Sequence, residues 1–234
     1  MTLPSEHRLV LRTLKTLVPL LLAVGMMACA GRPIHLQTGP RALTPEDYAD
    51  VYEAWTREAQ EFEWVGLEDI LHLSATFESW EFRWAYVVRY ADDHALEGTA
   101  RNELLRASLD DAREHHRFFV TLAGNVYAEQ NLASPHSAWR VVMIGPDGRQ
   151  SEPLAIERVR RPSAAERVYF PSISPHRQAF RLIFAATHED GSPTVPPDAE
   201  SVLLRFAGAR GQADLRWNFT RPGTSEPGTS EPAP

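Results

Sequence analysis

Apolar side chains recur at three- and four-residue spacing after residue 43, which is the pattern of a helix with one buried face. Thr44 can cap such a helix, Pro45 suits its first turn, and Glu46 and Asp47 suit the positive end of the helix dipole. The sequence therefore predicts a helix that begins at Thr44 and packs against the domain through Tyr48, Val51, Tyr52, Trp55, Ala59 and Phe62.

Farther along the chain, short apolar segments bounded by turn residues predict strands. Residues 145–148 (Gly-Pro-Asp-Gly) form a predicted turn, and residues 208–211 join two predicted strands as a hairpin. The predicted strands are 68–77, 117–123, 137–144, 152–160, 178–186, 201–207 and 212–219. Seven short strands with loops between them are typical of an antiparallel β-sandwich, which is immunoglobulin-like here in strand count alone.

The segment 79–95 fits two patterns. Its aromatic residues alternate with polar ones, as in a strand, yet Trp80, Trp84 and Val88 also share one helical face. Ser79 is a suitable helix cap, which favours the helix, and residues 99–116 predict a second helix because Ala, Leu, Glu and Arg dominate them. The predicted fold class is therefore α+β: an antiparallel β-sandwich with an N-terminal helix and a helical insertion after the first strand.

The first 28 residues have the organisation of a secretory signal peptide. Arg8, Arg12 and Lys15 are followed by an apolar run over residues 16–28. A helix needs about 20 apolar residues to span a bilayer. This run is shorter and contains a proline and a glycine, so a stable membrane span is not expected.

The apolar run ends in Met26-Met27-Ala28-Cys29, which resembles the lipobox of bacterial lipoprotein precursors. Met26 and Met27 depart from the leucine and small residue usual in that family, whereas Ala28 and Cys29 match it. The resemblance implies cleavage between Ala28 and Cys29 and lipid attachment to Cys29. In an organism with two membranes, Ala30 after the cysteine resembles the pattern of lipoproteins that are exported to the outer membrane. A plain secretory signal and an uncleaved anchor are the alternatives.

Composition divides the chain into four predicted parts. They are a signal peptide (1–28), a lipidated tether (29–42), a globular domain (43–220) and a disordered tail (221–234) that contains Gly-Thr-Ser-Glu-Pro twice. Without residues 1–28, 21 basic and 30 acidic residues remain, a formal net charge of −9. An acidic domain is a poor partner for nucleic acid or anionic lipid, so we expect membrane contact only through the lipid on Cys29.

The sequence contains no recognisable catalytic pattern. Nine histidines are present, but none has the spacing of a metal site, and His115 and His116 would point about 100° apart on the predicted helix. A Gly-x-Ser-x-Gly nucleophile motif and a phosphate-binding glycine loop are also missing from the sequence. We therefore predict no catalytic residue, no metal and no cofactor.

One segment is a candidate binding site. Tyr169 and Phe170 precede two prolines and His176 in a predicted loop, and loops often carry binding residues. The alternative is that both aromatic rings pack under the sandwich. The sequence thus suggests a lipid-anchored, non-catalytic binding or scaffold module of the cell envelope with an envelope protein as partner. A hydrolytic or metal-dependent enzyme and an accessory subunit of an envelope complex are the alternatives.

Overall fold

The computed structural model describes residues 34–63 and 68–220 of the chain. The helices are α1 (Tyr48–Trp55), α2 (Trp80–Asp93), α3 (Gly98–Glu114) and α4 (Ala164–Tyr169), with short 3₁₀ turns at Pro45–Asp47 and Tyr127–Gln130. The strands are β1 (Thr56–Glu63), β2 (Glu68–Phe77), β3 (His115–Ala123), β4 (Trp139–Ile144), β5 (Gln150–Ser151), β6 (Ala155–Val159), β7 (Gln178–Ala185), β8 (Ser201–Gly208) and β9 (Gly211–Asn218). None of the helices in these ranges has the length and apolar character that crossing a bilayer requires.

The strands form two antiparallel sheets. One has the order β1-β2-β3-β7-β6 and the other the order β5-β4-β8-β9. Phe118 on β3 contacts Trp217 on β9, with 5.3 Å between ring centroids, so the sheets face each other. Phe119, on the opposite face of β3, stacks on Phe170 beside α4 at 3.9 Å. The five-stranded sheet therefore lies between the second sheet and a layer of helices, which confirms the predicted α+β sandwich.

Aromatic side chains fill the space between the sheets. Trp55 and Trp217 are fully buried, and the Trp217 indole N–H donates to the main-chain oxygen of Trp55 at 2.8 Å. Phe77 stacks on Phe118 at 4.7 Å and meets the edge of Trp217 at 6.1 Å. Because buried aromatic rings remove large apolar areas from water, this cluster is a main stabilising contact between the two layers.

The prediction for residues 44–62 is correct only at its start. The helix ends at Trp55, and Thr56–Glu63 is the edge strand β1. At the junction, the Thr56 hydroxyl is within hydrogen-bonding distance of both the Tyr52 main-chain oxygen and the Thr76 hydroxyl across the β1–β2 pair. Pairing with β2 satisfies the backbone groups of this polar segment, so strand pairing overrides the helical pattern. The helical insertion consequently follows the second strand, not the first.

Several other predictions are confirmed. Residues 79–95 contain a helix whose cap is Ser79, which accepts from the Phe82 N–H at 3.2 Å. The 145–148 turn is present, closed by the Gly148 N–H and the Gly145 oxygen at 3.0 Å. The β8–β9 hairpin is also present. The predicted strand 152–160 is shorter, as β6, and β5 precedes it in the other sheet.

The predicted tether is too long at its C-terminal end. Ile34 is buried in the core, and its main-chain oxygen accepts from the Thr220 N–H at 2.9 Å. His35 Nδ1 lies 2.7 Å from the Thr220 oxygen, and the Trp80 indole N–H donates to the Gly39 oxygen. The folded domain therefore begins by Ile34. The predicted signal peptide, Cys29 and the predicted tail lie outside the described residues.

Candidate functional site

The two aromatic residues of the predicted recognition loop are buried. Tyr169 ends α4, and Phe170 follows it; their exposed fractions are only 2% and 4%. The Tyr169 hydroxyl donates to the Asp93 carboxylate at 2.8 Å, and its main-chain oxygen accepts from the Tyr48 hydroxyl at 2.6 Å. Both rings therefore pack beneath the loop, as in the packing alternative, and only a small part of Tyr169 reaches the surface, in the wall of a cleft.

The rest of this segment, residues 171–177, separates two surface clefts. His176 is exposed at its tip. Ser174 and Arg177 line both clefts, so they form the wall between them. The helix before the loop is fixed by a capping box, in which the Ser163 hydroxyl and the Glu166 side chain each accept the other residue's N–H. The position of the loop is thus set by a capped helix and two buried rings.

The cleft on one side of the loop is positively charged. Its volume is about 690 Å³, and none of its described lining residues is an aspartate or a glutamate. The basic side chains that line it are Arg158, Arg160, Arg167, His176 and Arg177. They come from the end of β6, from α4 and from the loop. In a chain with a formal net charge of −7, this concentration of positive charge is a local reversal of sign.

The cleft on the other side is larger, about 1010 Å³, and mixes aromatic and acidic groups. Its walls include Tyr48, Tyr52, Tyr169, Glu46, Glu53 and Glu58. Burial, together with the hydrogen bond to the Asp93 carboxylate, raises the pKa of Tyr169. Its hydroxyl therefore stays protonated well above neutral pH and keeps its bond to the Asp93 carboxylate.

A third, smaller cavity of about 320 Å³ lies between the helical layer and the five-stranded sheet. Arg83 on α2 and Arg117 on β3 both bind Asp111 on α3, at 2.6 and 2.5 Å. Burial opposes ionisation of Asp111, but the two guanidinium groups outweigh that effect and lower the pKa of its carboxyl group. The Glu78 side chain faces the same cavity, and burial raises the pKa of its carboxyl group despite the neighbouring arginines.

The histidines do not assemble into a metal site within the described residues, where no group of three or more potential ligands is found. His115 and His116 begin strand β3 and do not end a helix, so the predicted helical geometry for this pair is wrong. Helix α3 ends at Glu114, and the pairing of β3 with β7 begins at His115. Burial lowers the pKa of His116 to about 4, which keeps its ring neutral at physiological pH.

The arginines of the positively charged cleft were missed by sequence reasoning. Arg158, Arg160 and Arg161 are nearly contiguous in the sequence and were a visible signal. Arg167 and Arg177 join them only because α4 and the loop fold back beside β6. The net charge of the whole chain is negative, and such an average gives no indication of a local cluster of arginines.

No family model matches the chain, and no curated protein matches it. Among solved structures, the chain is similar to a protein from Burkholderia pseudomallei described as a novel protein of unknown function. The two share 14% sequence identity with a TM-score of 0.36, over 77% of this chain and 93% of that one.

Proposed function

We propose that this protein is a lipid-anchored, non-catalytic binding module of the cell envelope. The anchor is the lipid expected on Cys29, and the ligand is an envelope component that carries several carboxylate or phosphate groups. The single observation that supports the ligand class is the positively charged cleft beside residues 171–177, where five basic side chains converge without an acidic one among the described lining residues. Convergent positive charge attracts polyanions and accelerates their association.

The anchor is tested by labelling cells with a radioactive fatty acid. We expect the wild-type protein to incorporate the label and to fractionate with membranes, because a thioether-linked lipid requires the Cys29 sulfur. Cys29→Ser should incorporate no label and should leave the membrane fraction. Label retained by Cys29→Ser, or a mature protein that begins at another residue, would contradict the lipid assignment.

The ligand class is tested by binding of the full mature protein to two polyanions, soluble polygalacturonate and vesicles of phosphatidylglycerol. Vesicle binding is compared with that to neutral phosphatidylcholine, because the lipid expected on Cys29 would insert into either vesicle. Arg160→Glu combined with Arg167→Glu reverses two exposed charges of the cleft. We expect affinity for at least one polyanion to fall by about tenfold or more, and to weaken with added salt because the contacts are ionic. The two polyanions separate a carboxylate-bearing glycan from a phosphate-bearing lipid as the ligand.

The matched control is Arg101→Glu with Arg106→Glu, which changes the net charge equally on the exposed face of α3. This control should retain wild-type affinity. Equal losses in both double variants would mean that only net charge matters. That result, or the absence of binding to either polyanion by the wild-type protein, would refute the proposed binding role of the cleft.

A further inference from the structure

The 320 Å³ cavity behind the loop brings together three arginines that are distant in sequence. Arg83 lies on α2. In the β3–β7 pair, Arg117 is opposite Ile183 and Phe119 is opposite Arg181. Arg117 and Arg181 are therefore diagonal neighbours, two positions apart on one face of the sheet. This is the face that carries the helices. The cavity is therefore built from long-range strand pairing and from a helix packed over it.

The arginines have hydrogen-bonding capacity that the protein does not use. Arg83 Nη2 and Arg117 Nε are buried and have no acceptor within the described residues. The side chains of Arg117 and Arg181 remain 30% and 31% exposed and line the cavity, so their guanidinium groups are reachable from it. Unsatisfied buried donors are uncommon in native proteins, and they indicate a missing acceptor.

Glu78 controls the charge of this cavity. It is surrounded by protein, yet part of its side chain stays accessible because it borders two cavities. The groups that act on it or respond to it electrostatically are Arg83 and Tyr86 on α2, Asp111 on α3, Arg117 on β3, Arg181 on β7 and Tyr48 on α1. The other titratable groups that border the second of these cavities are His35, Arg113, His115 and His116. Burial raises the pKa of the Glu78 carboxyl group, so Glu78 stays protonated to a higher pH than an ordinary glutamate does.

The charged groups in and around the cavity nearly cancel one another. Arg83, Arg117 and Arg181 contribute three positive charges, while Asp111 and Glu166, which pairs with Arg181 at 2.6 Å, contribute two negative ones. One positive charge is left when Glu78 is protonated, and none is left when it is ionised. The protonated cavity therefore has a place for one negative charge.

The remaining walls are aromatic: Phe82, Tyr86 and Phe170 line the same space. We propose that this cavity binds a small organic monocarboxylate, with the carboxylate at Arg117 and Arg181 and the apolar body against the three rings, and that binding requires Glu78 to be protonated. A volume of about 320 Å³ is sufficient for such a ligand. This site is separate from the positively charged cleft and does not depend on the proposed function of that cleft.

The test is calorimetric titration of the full mature protein with benzoate, with benzamide as the uncharged probe and inorganic phosphate as the anion without an apolar body. We expect benzoate to bind and the other two to bind at least tenfold more weakly. The apparent dissociation constant for benzoate should rise by about tenfold per pH unit once the pH exceeds the raised pKa of Glu78.

Two variants and one control separate the proposal from a purely structural role of these charges. Glu78→Gln keeps the neutral form at every pH, so benzoate should bind with a pH-independent affinity that exceeds the wild-type affinity at high pH. Arg181→Gln should weaken benzoate binding by about tenfold or more, since a charged hydrogen-bond donor is lost. The control Arg101→Gln removes an exposed positive charge of α3 that lines neither cavity and should change nothing. Thermal unfolding of each variant identifies any that fails to fold.

Four outcomes would overturn the proposal. They are no benzoate binding by the wild-type protein, equal affinity for benzamide, tighter binding of phosphate than of benzoate, and the same pH dependence in Glu78→Gln as in the wild type. If Glu78→Gln does not fold, two other results test the proposal. Benzoate affinity of the wild type must fall with rising pH, and Arg181→Gln must bind benzoate more weakly; failure of either would contradict the proposal.

Discussion

Replacement of Arg83 by methionine tests how the helical layer is held on the sheet. The Arg83 guanidinium group makes three hydrogen bonds: to the Glu78 main-chain oxygen at 2.9 Å, to the Ser108 main-chain oxygen at 3.0 Å and to the Asp111 carboxylate at 2.6 Å. It thereby links α2 to α3 and to the end of β2. Methionine retains an apolar stem in the same space but removes all three bonds, so the measured loss reports the polar contacts.

The size of the effect follows from burial. The Arg83 side chain is 6% exposed and that of Asp111 is 24% exposed. Removal of one partner of a buried ion pair costs about 3–5 kcal/mol. Asp111 keeps its bond to Arg117, so its carboxylate is not left without a positive neighbour. We therefore expect the free energy of unfolding to fall by about 3 kcal/mol, at the lower end of that range.

Urea denaturation followed by tryptophan fluorescence measures this loss. The matched control is Arg113→Met on α3, whose ion pair with Asp110 is 62% and 55% exposed. An exposed pair contributes about 1 kcal/mol or less, so the control should unfold almost as the wild type does. A loss below about 1 kcal/mol in Arg83→Met, or an equal loss in both variants, would refute the view that this arginine holds the layers together.

Three further predictions concern the sandwich. Burial lowers the folded-state pKa of His116 to about 4 from an ordinary 6.5, so the wild type loses stability as the pH falls through that interval. His116→Phe should remove this acid sensitivity, which amounts to up to about 3 kcal/mol, and urea titrations at several pH values measure it. Trp217→Phe should lower the free energy of unfolding by about 2–3 kcal/mol, because the hydrogen bond to the Trp55 oxygen and part of the ring volume are lost. A variant as stable as the wild type would contradict the packing described for this core. Gly208→Ala should cost about 1–3 kcal/mol in the same denaturation assay, because a Cβ would lie 2.4 Å from the Ala138 oxygen, and an unchanged midpoint would mean that this close approach is absent.

The sequence predicted elements whose own residues carry the signal. Strand β9 alternates apolar and polar positions, the β8–β9 hairpin has glycines at its turn, and Ser79 caps α2 through a local bond. Strand β1 was missed because its residues are mostly polar. Its conformation is determined by pairing with β2, as in the Thr56–Thr76 contact, and such information is not contained in a local pattern.

The candidate site shows the same limit. Tyr169 and Phe170 stood out as aromatic residues near prolines, but the sequence could not decide between a surface and a core position, which depends on Phe119 and Tyr48 far away in the chain. The arginine cavity was not visible at all. Arg83, Arg117 and Arg181 become neighbours only through the β3–β7 register and the packing of α2.

The contact between Ile34 and Thr220 has a mechanical consequence for a tethered protein. The described domain starts and finishes at one point on its surface, where the Ile34 oxygen accepts the Thr220 N–H and the His35 ring lies against the Thr220 oxygen. A pull between the segments that precede and follow the domain would first separate these few bonds one after another. The strands of the described domain would bear this load only after these bonds had separated, so tension between the two flanking segments would first open this junction.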